Sequence, residues 1–120
     1  MIDYTTRTIS ESVTVVQVGG KLDEAGRKYI FSRIGDMIES GTRYIIIECQ
    51  QIGHVNSGAL ASLLSARKLA AKKGGRIYLT HLNSIITEAM ELTKLRRLLA
   101  VYPTTEAALE AVRSDPACVG

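Results

Sequence analysis

The residues best suited to do chemistry stand together in Val55-Asn56-Ser57-Gly58-Ala59-Leu60, where an apolar run gives way to a helical pattern. Asn56 and Ser57 both suit a helix N-cap, because their side-chain oxygens can accept from orphan backbone N–H groups. A hydroxyl there also sits at the positive end of the helix, where a phosphate dianion is tolerated. Ser57 thus has three readings: a cap, a phosphorylation site or a nucleophile. The nucleophile reading is the poorest. Asn56-Ser57-Gly58 lacks the first glycine of a G-x-S-x-G elbow, and His54 and His81 are the available bases. Cys49, His54 and His81 lack a fourth ligand and a metal-site spacing. Neither Gly19-Gly20-Lys21 nor Gly74-Gly75 has the spacing of a phosphate loop. No catalytic residue, metal or cofactor is expected.

Charge adds a second feature. Between Cys49 and Thr87 stand Arg67, Lys68, Lys72, Lys73 and Arg76, with no acidic residue among them. Lys68 and Lys72 project from one polar side of the helix that follows Ser57, with Lys73 further round. They read as a solvated face or as a docking patch for an acidic partner. Arg67 falls within an apolar arc with Leu60, Leu63, Leu64 and Ala71, so it either snorkels past the helix end or belongs to a contact surface.

Across the 120 residues, 15 basic and 12 acidic side chains give a net charge of +3, too small a surplus to argue for direct nucleic-acid binding. Five Tyr, one Phe and no Trp make a poor base-stacking platform. With 46% apolar residues the chain can build a core, which excludes disorder as its main state. Cys49 and Cys118 form no C-x-x-C pair and are too few for a disulfide scaffold, so a reducing compartment is expected. No basic stretch followed by an apolar run opens the chain, and runs such as Tyr44-Ile45-Ile46-Ile47 are far below spanning length. A soluble, cytoplasmic protein without membrane contact is expected.

The elements that must position Ser57 follow from periodicity. Residues 5–9 and 13–18 are β-type runs with a turn at Glu11-Ser12, read as a hairpin closed by Gly19-Gly20. Asp23 caps a helix whose apolar steps run from Ala25 to Ile38, stopped at Ser40-Gly41. Residues 44–49 read as a strand covered on both faces, followed by a loop over 50–55 and a helix over 57–73. A buried strand at 76–80 and a helix at 85–92, capped by Asn83 or Ser84, come next. Residues 98–102 fit a helix end or a short strand. Thr104 caps a last helix over 105–113, and 114–120 is expected to be a flexible tail. Strands alternating with helices predict an α/β fold: a mixed β-sheet with an N-terminal hairpin, flanked by about four helices, in one domain over 1–113.

Three segments resemble the STAS domain family, in its branch of bacterial anti-sigma factor antagonists. Val18-Gly19-Gly20-Lys21-Leu22-Asp23 is similar to the family's "G-x-L-D". Asn56-Ser57-Gly58-Ala59-Leu60-Ala61-Ser62-Leu63 is similar to "D-S-S-G-L-x-x-L". Leu99 to Leu109 is similar to a closing strand, a Tyr, a Thr or Ser cap and an "E-A-L" helix. The resemblance implies a non-enzymatic partner switch that binds an anti-sigma factor serine kinase and is controlled by phosphorylation at the start of the second helix. It places phosphorylation at Ser57 and partner contacts at Asp23, Asn56, Ser57, Gly58 and Leu60, in a monomer or weak homodimer. In ungapped register Asn56 replaces the family Asp, Ser57 takes the first serine and Gly58 the usual phosphorylated one. A shift by one residue makes Ser57-Gly58 the modified pair but puts Val55 at the Asp position. The alternative is an unphosphorylated scaffold, or a domain that senses a nucleotide or other small ligand.

Overall fold

The computed structural model describes residues 2–115. Five strands form one sheet in the order β1-β2-β3-β4-β5. The strands are β1 (Ile2–Thr8), β2 (Val13–Leu22), β3 (Tyr44–Val55), β4 (Arg76–Thr80) and β5 (Ala100–Tyr102). The helices are α1 (Glu24–Glu39), α2 (Ser57–Lys72), α3 (Ser84–Thr93) and α4 (Thr105–Ser114), with a 3-10 turn at Arg96–Leu98. β1 pairs antiparallel with β2, and every other pairing is parallel. This is the expected mixed α/β sheet with four helices. Among the described residues, no helix is long and apolar enough to cross a membrane.

The strands alternate in period two, as a pleated backbone requires. Val16, Val18, Ile45, Ile47, Cys49, Ile77 and Leu79 pack under α1, α2 and α3. Val13, Val15, Tyr44, Ile46 and Tyr78 pack under α4. Helices on both faces explain why β3 and β4 read as unbroken apolar runs rather than alternating ones. Cys49 is buried as a free thiol in the larger layer, where loss of solvation pushes its pKa up to about 12.

Three expectations are corrected. Gly19 and Gly20 do not close the hairpin but lie inside β2; the hairpin turns at residues 9–12, where the Ile9 and Ser10 N–H groups donate to the Val13 carbonyl. Gly19 is needed there because a Cβ would lie 2.9 Å from Gln51 Cβ on the neighbouring strand. The stretch 50–55 is not a loop but the end of β3, paired with β2 through two register shifts. Its other edge runs past β4, whose pairing ends at Glu48↔Thr80, and the Asn83 side-chain amide replaces the missing strand. That amide donates to the carbonyls of Gln50 at 3.2 Å and Ile52 at 2.7 Å, with a longer contact to Cys49. Residue Ser114, placed in the tail by its sequence, is the last residue of α4. Residues 116–120, including Cys118, lie outside the described residues.

Glu48 joins distant parts of the chain. Its carboxylate, 12% exposed, accepts from Arg7 Nη1 and Nη2 at 3.4 and 3.2 Å and from the Thr105 hydroxyl. The Thr105 N–H in turn donates to His81 Nε2 at 3.2 Å. Burial alone would raise the Glu48 pKa, but the hydrogen bonds from Thr105 and Arg7 outweigh it and hold the carboxyl below its ordinary 4.5. A carboxylate with a depressed folded pKa stabilises the fold above the unfolded value, and that stability is lost as pH falls through the folded value. Glu48→Gln should therefore flatten the acid side of the stability curve, below about pH 5, in urea unfolding followed by circular dichroism. An unchanged slope there would remove Glu48 from the acid response.

The start of α1 is set by contact with β2, since a Cβ on Gly26 would lie 2.1 Å from the Lys21 carbonyl oxygen. Gly35, on the same helix, has nothing within 4 Å of the corresponding position. Gly26→Ala should cost about 1–3 kcal/mol through overpacking. Gly35→Ala should gain about 0.5–1 kcal/mol by reducing backbone freedom. Urea midpoints for the two variants should move in opposite directions.

Candidate functional site

β2 and β3 end together, at the pair Leu22↔Val55, and the Asn56 N–H donates to the Leu22 carbonyl at 3.2 Å. The next residue on each strand caps a helix. Asp23 Oδ1 accepts from the Gly26 N–H at 2.9 Å, and Asn56 Oδ1 accepts from the Ala59 N–H at 2.8 Å. Neighbouring strands stand about 4.8 Å apart, so α1 and α2 begin side by side. Their remaining orphan N–H groups and positive dipole ends face one patch of surface.

Ser57 is the first residue of α2 and is exposed. Asn56, not Ser57, supplies the capping oxygen, so the Ser57 hydroxyl is not used to start the helix. Gly58 is half-buried beneath Arg27: a Cβ at 58 would lie 3.0 Å from Arg27 Nε and 3.4 Å from Asn56 Oδ1. Arg27 is fixed by a fork onto Glu24, Nε to Oε1 at 2.8 Å and Nη2 to Oε2 at 2.6 Å, and by Nη1 donating to Ser62 Oγ at 3.1 Å. One guanidinium thus ties the first turn of α1 to α2 and lies across Gly58. Arg27 and Ser62 were missed in the sequence, although Glu24 and Arg27 stand at the i,i+3 spacing of a helical ion pair.

The charges of the patch are nearly balanced. The Gly26 N–H holds the Asp23 carboxyl below its ordinary range, and the hydrogen bond from Arg27 does the same for Glu24. Opposite these stand Arg27, Lys28, whose Nζ lies 3.5 Å from Glu24 Oε2, and Lys21, which is in register with His54. A phosphoryl group on Ser57 would add close to two negative charges here.

The structure brings Asp23, Asn56, Ser57 and Gly58 to this one patch. Leu60 is corrected: it is 1% exposed and packs in the larger core layer, so it anchors α2 and cannot meet a partner. Arg67 is also clarified, since the buried side of α2 runs through Ala59, Leu60, Leu63, Ala66 and Ala70 and leaves Arg67 exposed. Neither histidine hydrogen-bonds Ser57 among the described residues, because His81 is engaged at the start of α4 and His54 is exposed on β3. No group of three or more His, Cys, Asp or Glu side chains among the described residues could hold a metal ion.

The family model described as "STAS domain" matches residues 4–108. No curated protein matches the sequence significantly. In fold the chain is similar to an anti-sigma factor antagonist from Mycobacterium paratuberculosis, with a TM-score of 0.83 at 23% identity over 95% of this chain and 96% of that one. It is also similar to the anti-sigma factor antagonist SpoIIAA in its unphosphorylated form, with a TM-score of 0.80 at 18% identity over 94% and 98%. The phosphorylated form of the Bacillus cell fate determinant SpoIIAA gives a TM-score of 0.71 at 18% identity over 92% and 100%.

The two caps give the site its shape, so removing one should be felt without any partner present. Asn56→Ala should cost about 1 kcal/mol, whereas Asn56→Asp, an equally good cap, should cost little. Urea unfolding distinguishes the two, and equal stability of both variants would mean that the Asn56 side chain is not what starts α2.

Proposed function

The chain belongs to the STAS domain family, and on that premise we propose that it is an anti-sigma factor antagonist regulated by phosphorylation of Ser57. The observation that carries the reading is the exposed Ser57 on the first turn of α2, next to Gly58, over which the Arg27 guanidinium of α1 lies. The similar fold of anti-sigma factor antagonists supports it, one of them in both unphosphorylated and phosphorylated forms.

The unmodified protein binds an anti-sigma factor serine kinase in the cytoplasm through Asp23, Asn56, Ser57 and Gly58, and so frees a sigma factor. This patch needs no enzymatic chemistry. It needs a hydroxyl that a kinase can reach and a nearly neutral surface on which a partner can dock. A phosphate on Ser57 brings bulk and close to two negative charges to the contact. The N–H groups of the first turn and the neighbouring guanidinium compensate that charge within the domain, so the fold persists while the partner is repelled. Gly58 favours a second reading, an unphosphorylated scaffold or small-ligand sensor, because the ungapped family register puts a glycine at the usual modified position. Ligand-dependent thermal stabilisation in the absence of a kinase partner would favour that reading.

Incubation with the cognate anti-sigma factor kinase and ATP should add one phosphate-sized mass to the wild type and none to Ser57→Ala. Ser57→Asp should weaken kinase binding by about tenfold or more, or about 1.4 kcal/mol, in calorimetry. Wild-type affinity for Ser57→Asp would end the charge-block mechanism, and an unmodified Ser57 would end regulation at this residue.

A further inference from the structure

The run of cations without acids between Cys49 and Thr87 finds its place at the other end of α2. The C-terminal half of α2, the start of β4, the 3-10 turn and β5 enclose an open groove of about 820 Å³. Arg67, Lys68, Lys72, Arg76 and Arg97 line it, all exposed, and no Asp or Glu among the described residues does. Of these five, only Arg76 has an ion-pair partner among the described residues, Asp115 at 3.9 Å. Lys73, next in the chain, is drawn away to Glu39 at 3.6 Å. Lys68 and Lys72 stand one helical turn apart, a spacing that sets like charges against each other. Such a concentration of one sign costs self-repulsion and raises the local concentration of anions.

The floor of the groove is apolar and extended. Ile77, Tyr78 and Leu99 are buried there. β5 begins opposite Tyr78, so Arg76 and Ile77 have no strand partner on that side of β4. The groove offers no run of stacking faces: Tyr78 is 6% exposed, and the one partly exposed ring, Tyr102, packs against it in a T-shaped contact at 5.3 Å and 82°. An anion that relied on stacked bases would find no platform, whereas an extended peptide with carboxylate side chains meets cations along its whole length. We propose that this groove docks an acidic, extended segment of a partner protein. The inference does not rest on phosphorylation, because the first groove residue on α2, Arg67, stands ten residues from Ser57, about 15 Å along the helix.

The test uses the full chain and a short fluorescein-labelled Glu-rich peptide, read by fluorescence anisotropy. The peptide should bind at low ionic strength and weaken as salt is raised. Lys72→Glu with Arg97→Glu should weaken binding about tenfold or more, while Lys21→Glu with Lys28→Glu, of equal charge change at the other end, and Ser57→Asp should not. If the double reversal lowers the folded fraction by circular dichroism, Lys72→Gln with Arg97→Gln repeats the comparison. Equal losses for both charge-reversed pairs, or no binding by the wild type, overturn the proposal. Groove-dependent binding of a charge-matched oligothymidylate more tightly than the peptide also overturns it, in favour of a nucleic acid. A dimer in sedimentation that dissolves on reversing Lys72 and Arg97 overturns it in favour of a second copy.

Discussion

Parallel pairing of β2 with β3 is the constraint from which the site follows. Two parallel neighbours cannot be joined by a tight turn, so the chain must cross the sheet between them, and α1 is that crossing. α2 is the next, from β3 to β4. Both helices leave from the same edge of the sheet, but that alone would not bring their first turns together. The strands must also end in step, and two register shifts let the longer β3 reach Val55 opposite Leu22. Gly19 permits the close approach of the strands, and Asn83 covers the carbonyls that β4 leaves behind. The meeting of two helix starts is therefore a result of ladder geometry that involves residues far from Ser57.

Much of this was legible in the sequence because it is local. Asp23, Asn56, Asn83 and Thr104 each cap a helix as a short polar residue before an apolar period should, and all four accept from the N–H three positions on. The unbroken apolar runs of β3 and β4 were visible as buried strands. What stayed hidden depends on partners distant in the chain. Residues 50–55 mix two Gln, a His and a glycine with Ile52 and Val55, so they read as a loop; pairing with β2 overrides that composition. Leu60 stands in the segment of the proposed docking surface, but helical rotation sends it inward beside Leu63. Arg27 became part of the site only through its reach across to α2.

The interactions at the two ends of α2 differ in kind. Glu24 and Arg27 are partly or well exposed, at 60% and 25% for the side chains, so their ion pair adds little to stability. Its value is positional, since a planar fork holds the guanidinium in one orientation over Gly58. At the far end Arg67, Lys68, Lys72 and Arg97 have no such partner among the described residues, and their charge is left to the solvent side. The folding free energy comes from neither end. It comes from the two apolar layers between the sheet and its helices, which is why the surfaces can specialise.

Cys49 shows how far that interior is removed from the chemistry outside. A thiol with 1% exposure and a pKa near 12 offers neither a thiolate nor a path for a reagent. While the domain stays folded, oxidants and electrophiles have no handle on the middle of the sheet through this thiol. The same sulfur becomes a clock. The rate at which it yields to a thiol reagent measures how often the sheet opens there, a motion that no bound partner at either end of α2 would need to reveal.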